Sequence, residues 1–201
     1  GTSMYGILSA QTSTKIQRTR FPKRLRDEAL ETLLPTIVPG VNPFDRNIKG
    51  VERSPWHIHR GREDTELFNT LADHIKLYCE GSYNLDDRDY LRLTWDDCWI
   101  MRGLSEDGFV EPHAHTKHWG GLSFSLYLDL PKGHTTLSFM SVDDIGDAWS
   151  RDIIIEEGDM IVFPGNLIHY SKDVSPGRVV MSGKAVVNYH LGEKRNEVTS
   201  A

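Results

Sequence analysis

Cysteine is nearly missing from this sequence: Cys79 and Cys98 are the only two. Two thiols make no disulfide framework, so a small cross-linked secreted scaffold is excluded and a reducing, cytoplasmic setting is expected. Long apolar runs are missing as well. No stretch approaches the ~18 residues that a membrane-spanning helix requires, and the N-terminus has no apolar leader region. Positive charge is in deficit, with Lys+Arg 23 against Asp+Glu 29 and a net charge of -6, which argues against nucleic acid as the partner. Internal repeats, low-complexity tracts and linkers are absent, so residues 4–201 are expected to form a single domain. Gly1-Thr2-Ser3 ahead of Met4 reads as a cloning remnant, with Met4 the expected natural start.

What is present is an ordinary globular composition, 38% hydrophobic and 26% charged. A chain of this length can bury roughly 70% of its unfolded surface. Residues 4–21 read as a short strand or an arm. Pro22 opens a helical pattern in which Leu25, Ala29, Leu30 and Leu33 share a face, and Pro35 stops it. Residues 37–61 carry loop chemistry: Pro39-Gly40, Asn42-Pro43, Gly50 and Ser54-Pro55. A second helix is expected over 63–80, with Leu67, Phe68, Leu71, Ala72, Ile75 and Tyr78 on its buried stripe. Gly81 would be its stop, and His74 a surface or boundary residue.

From Leu91 the pattern changes to strands. Leu91–Trp95 and Cys98–Arg102 read as two strands, followed by 122–130, 135–142, 151–156, 160–163, 168–172 and 178–189. Turn residues such as Pro131-Lys132-Gly133, Gly158-Asp159 and Pro176-Gly177 separate them. The fold class expected is mainly β with N-terminal helices, a barrel or sandwich against which the two helices pack.

Two histidine pairs need weighing. His57-Ile58-His59 lies in an irregular, basic stretch with no later strand partner, and no metal role is expected there. His113-Ala114-His115 differs, because it opens the strand-rich region. On a strand, residues i and i+2 point to one face, so His113 and His115 can converge on one ion. His169, after the Phe163-Pro164-Gly165-Asn166 turn, is the best candidate for a third ligand. Imidazole suits iron, zinc, copper or nickel, so residue type does not select the metal. Arg178 precedes the apolar run Val179-Val180-Met181. A buried guanidinium needs an anionic partner, and a ligand carboxylate held bidentately would serve. An internal Asp or Glu, or an exposed strand start, would satisfy it equally.

These residues resemble a known family. Residues 99–189 resemble the double-stranded β-helix of the Fe(II)- and 2-oxoglutarate-dependent dioxygenases, especially its small prolyl-hydroxylase-like branch. The family pattern of His-x-Asp/Glu, Tyr-Leu, Gly-Asp turn, distal His and later Arg is matched by His113-Ala114-His115, Tyr127-Leu128, Gly158-Asp159, His169 and Arg178. The resemblance implies a jelly-roll core over 99–190, with 4–98 as helical support and first strands. It implies an oxygenase that uses Fe(II), 2-oxoglutarate and O2, hydroxylates a small molecule or protein side chain and releases succinate and CO2. By the same resemblance His113 and His169 bind iron and Arg178 holds the distal carboxylate of 2-oxoglutarate. Tyr127, or Ser123, Ser125 or Ser182, would assist Arg178. Trp99, Trp119 and His118 are candidate residues for the substrate side.

One departure separates the chain from that pattern. His115 stands where the family places a carboxylate. Direct ligation by His115 is the favoured reading; supply of an oxygen ligand by Glu111 or Asp107, or a position open to water or halide, are the others. Two further functions stay open: a cupin-like three-histidine metalloenzyme without 2-oxoglutarate, and a non-catalytic binding module. The cupin pattern wants a glutamate after H-x-H, where this chain has Thr116-Lys117-His118-Trp119.

Overall fold

The computed structural model describes residues 3–11, 14–39, 48–83, 91–114, 121–142 and 146–189. Among these residues, twelve strands and two α-helices follow one another in chain order. They are β1 (Ser3–Gln11), β2 (Thr14–Arg20), α1 (Lys23–Leu33), β3 (Ile48–Lys49), β4 (Val51–Arg53) and α2 (Glu66–Tyr83). Then follow β5 (Leu91–Gly103), β6 (Gly108–His113), β7 (Gly121–Asp129), β8 (His134–Val142), β9 (Ala148–Glu156), β10 (Asp159–Pro164), β11 (Ile168–Val174) and β12 (Val179–Tyr189). A seven-stranded sheet runs in the order β1-β2-β10-β7-β12-β5-β4 and a five-stranded sheet in the order β3-β6-β11-β8-β9. The expected mainly-β architecture is therefore the observed one.

Alternation along the central strands sets up two cores. On β7 and β10, Phe124, Leu126, Met160 and Val162 face the helices, where they join Phe21, Leu25, Leu33, Phe68 and Leu71. Tyr127, Ile161 and Phe163 face inward and meet Phe139, Ile153 and Val180 between the sheets. β10 is thus apolar on both faces, as a strand covered on both sides must be, whereas the inner face of β7 carries Ser123 and Ser125 beside Tyr127. Helix α1 illustrates what holds the outer layer. Its N-cap, Pro22, makes no side-chain capping bond. That omission costs about 1 kcal/mol, whereas burial of Leu25 and of Leu33 contributes about 1.5–3 kcal/mol each, so packing decides.

Several sequence expectations are corrected. The N-terminal segment is a full antiparallel pair, β1 with β2, and β2 extends the larger sheet by pairing with β10. Residues 37–61 include the short strands β3 and β4 within the expected loop. Helix α2 passes through Gly81 and ends at Tyr83. An interior glycine costs a helix about 1 kcal/mol, which the buried stripe of Leu67, Phe68, Leu71 and Ile75 outweighs. His74 is wholly buried rather than at the surface; its Nδ1 lies 2.7 Å from the Thr19 hydroxyl and its carbonyl accepts from Gln17 Nε2. Finally, Leu91–Gly103 is one strand. It pairs continuously with β12 across a bulge at Lys184/Ala185, and Lys184 Nζ binds Asp97 Oδ2 at 2.7 Å, which makes acidic residues tolerable in mid-strand.

Candidate metal and anion site

Between the two sheets lies a partly open cavity lined by residues that include His113, Ser123, Ser125, Tyr127, His169, Arg178 and Ser182. Strand pairing explains how separate sequence motifs arrive there. His113, the last residue of β6, stands directly opposite His169 of β11 in the antiparallel register. Their rings lie 4.2 Å apart between centroids. His169 is buried, backed by the Phe163 ring at 4.7 Å.

The protonation of His169 follows from its neighbour. Its Nδ1 lies 2.9 Å from the Leu167 carbonyl oxygen. A carbonyl only accepts, so the proton sits on Nδ1 and the lone pair on Nε2, the form a metal-binding imidazole takes. This donor set fits a divalent transition metal held by two histidines of one sheet. Among the described residues no group of three His, Cys, Asp or Glu side chains could hold an ion. His115 lies outside the described residues, as do His118 and Trp119, and the side chain of Glu111 is likewise not described. Asp107 lies in the turn before β6 and does not line the cavity.

Arg178 occupies the opposite wall. It stands one residue ahead of β12, and its backbone is fixed by Gly103 N donating to its carbonyl at 2.8 Å. Only 5% of its surface is exposed. Its Nε is buried without a hydrogen-bond partner among the described residues, and its guanidinium makes no ion pair among them. Burial pushes its pKa below the usual guanidinium value, although the nearby Tyr127 and Asp173 oppose that. Among the described residues, neither an internal carboxylate nor an exposed strand start satisfies it. A buried guanidinium in this state is suited to bind the carboxylate of a ligand.

Tyr127 lies next to it, with the Arg178 guanidinium carbon 5.7 Å from the ring centroid. Burial raises its phenol to about 12, so it stays protonated and can donate. Ser125 and Ser182 face one another across β7 and β12 with their hydroxyl oxygens 3.3 Å apart. Trp99 also lines the cavity and meets Trp56 edge-on at 5.0 Å, and Arg53 stacks 3.4 Å over Trp56. Sequence reading missed Phe163 and Ser171. Ser171 follows His169 by two on β11, so strand alternation is the signal that would have found it. By contrast His57 and His59 lie away from this cavity, where His57 bridges to Cys98.

No family model and no curated protein sequence matches the chain. Solved structures do match. A Pseudomonas putida prolyl-4-hydroxylase is 17% identical, with a TM-score of 0.55 over 87% of this chain and 93% of that one. HygX from Streptomyces hygroscopicus, with nickel, 2-oxoglutarate and hygromycin B bound, is 14% identical, with a TM-score of 0.58 over 87% and 83%. The non-heme alpha-ketoglutarate-dependent epimerase SnoN from nogalamycin biosynthesis is 14% identical, with a TM-score of 0.55 over 86% and 80%. The chain thus has the double-stranded β-helix fold that 2-oxoglutarate- and Fe(II)-dependent oxygenases use.

Proposed function

We propose that the protein is an Fe(II)- and 2-oxoglutarate-dependent oxygenase that hydroxylates its substrate, with succinate and CO2 as coproducts. One observation carries the reading: one cavity has a histidine pair on one wall and, on the other, a buried arginine with no anionic partner among the described residues. His113 and His169 would hold the metal, and His115 is the proposed third ligand. When bound, iron with 2-oxoglutarate and O2 would supply the oxidising chemistry. The chain supplies placement. The Leu167 carbonyl fixes the His169 ring, and Arg178, with the protonated Tyr127 phenol beside it, binds the distal carboxylate. Ser125 and Ser182 add hydroxyls to the same wall. Leu137, Phe163 and Val180 keep water from the floor of the cavity.

HygX holds hygromycin B and other proteins of this fold hydroxylate prolyl groups, which supports a small molecule or a protein side chain as substrate. Residues 4–201 are read as one domain, supported by β1 and β2 extending the same sheet that carries Tyr127. The buried free thiols Cys79 and Cys98 support a cytoplasmic setting. No helix among the described residues is long and apolar enough to cross a membrane.

The test is an anaerobic titration with Fe(II) and then 2-oxoglutarate, followed by visible absorption. A charge-transfer band that needs both additions is expected. Iron binding without a response to 2-oxoglutarate would transfer the assignment to a cupin-like metalloenzyme, and no iron binding would leave a binding module.

A further inference from the structure

The geometry points to Ser123 as a further cosubstrate-binding residue, whose hydroxyl donates to the carboxylate at the metal end of bound 2-oxoglutarate. This rests on the oxygenase reading above and deepens it.

Ser123, Ser125 and Tyr127 occupy alternate positions on β7 and so share the face that lines the cavity. Ser125 has a partner in Ser182, 3.3 Å away, and Tyr127 lies beside the Arg178 guanidinium. Ser123 is different. It is 3% exposed, and its Oγ has no hydrogen-bond partner among the described residues. A buried hydroxyl without a partner is destabilising, and one that lines a ligand cavity is satisfied by what binds there.

Its position along the cavity identifies which part of the ligand it meets. Ser123 pairs in register with Phe163 of β10, and the Phe163 ring packs on His169 at 4.7 Å. Ser123 is therefore level with the histidine pair. Arg178 adjoins Tyr127, at the other end of the same inner face. A dicarboxylate whose distal group sits on Arg178 would direct its other carboxylate towards the histidine pair, at whose level the Ser123 hydroxyl stands in the same cavity. Hydroxyl donation to a carboxylate is a charge-assisted hydrogen bond, stronger than a neutral one.

The experiment compares wild type, Ser123→Ala, Ser123→Thr and Arg178→Ala in the anaerobic Fe(II) and 2-oxoglutarate titration, with unliganded melting temperature as the folding control. Ser123→Ala is expected to raise the 2-oxoglutarate Kd about tenfold, the size of one charge-assisted hydrogen bond. It should also displace the charge-transfer maximum while Fe(II) affinity holds. Arg178→Ala should weaken binding without moving the maximum, because it acts at the far carboxylate. Ser123→Thr keeps the hydroxyl and should restore both values. If Ser123→Ala proves unfolded, Ser123→Cys, closer in volume and a weak donor, carries the same test. A folded Ser123→Ala with wild-type affinity and maximum overturns the assignment while leaving the oxygenase reading intact. A wild-type protein with no band overturns both.

Discussion

Replacing Arg178 by methionine separates a binding role from a structural one, because the two predict opposite effects on stability. The guanidinium is 5% exposed and makes no ion pair among the described residues, and burial depresses its pKa. If it serves the fold, Arg178→Met destabilises the unliganded protein. If it serves a ligand, Arg178→Met removes a buried, uncompensated charge, and the unliganded protein melts at the same temperature or higher. The cost appears only on binding. Leaving a carboxylate in a desolvated site without its partner costs about 3–5 kcal/mol, at least about a hundredfold in affinity. At 2-oxoglutarate about a thousand times the wild-type Kd, binding stabilises the native state by about 4 kcal/mol. For a variant bound a hundredfold more weakly, the same concentration contributes about 1.4 kcal/mol. At about 2–4 °C per kcal/mol for a chain of this size, the wild-type melting temperature should rise by about 8–16 °C and that of the variant by about 3–6 °C. The assay is thermal unfolding under nitrogen with Fe(II), with and without 2-oxoglutarate. A variant that loses stability without ligand yet keeps the full wild-type rise would refute the reasoning.

His169→Ala and His113→Ala should each abolish retention of Fe(II) or Ni(II) through desalting, measured by elemental analysis; full occupancy in either variant removes that residue from the ligand set. His59 is 5% exposed, and its pKa is lowered chiefly by burial, with His57 adding to the effect. A lowered folded pKa means that the folded state binds fewer protons than the unfolded chain. Its stabilising contribution is full above the ordinary histidine value of 6.5 and is lost as pH falls below it towards the folded pKa. His59→Gln should flatten that part of the stability profile in urea unfolding at stepped pH, and an unchanged slope contradicts the burial argument. At Gly183 an added Cβ would lie 2.5 Å from the Asp97 carbonyl oxygen and 2.7 Å from Phe124. Gly183→Ala should therefore lose about 1–3 kcal/mol, the usual range for overpacking. A melting temperature equal to wild type would mean that β5 and β12 separate more readily than their pairing suggests.

Much of the architecture was legible in the sequence because it depends on local chemistry. Alternation from Leu122 onward, the Gly158-Asp159 turn and the periodic stripe of α2 each encode an element within a short window. That His113, His169 and Arg178 serve one site was implied by the family resemblance, not by local geometry, because they lie on or beside three different strands. Local signals failed where a distant partner decided the outcome. His74 reads as a boundary residue on its helix, yet it is buried because β2 brings the Thr19 hydroxyl to its Nδ1. Gly81 reads as a stop, yet α2 continues through it, because the buried stripe against the larger sheet outweighs one glycine.

Only the tertiary structure decided the states of the functional groups. That His113 faces His169 is a matter of β6 pairing with β11, and the His169 tautomer is set by the Leu167 carbonyl. Sequence left three partners open for Arg178: an internal acid, solvent or a ligand. Packing of the two sheets closed off the first two among the described residues, because it buries the guanidinium and brings no carboxylate into contact with it. A linear pattern records which groups a chain carries. Whether a charge is solvated or neutralised depends on what the fold places around it.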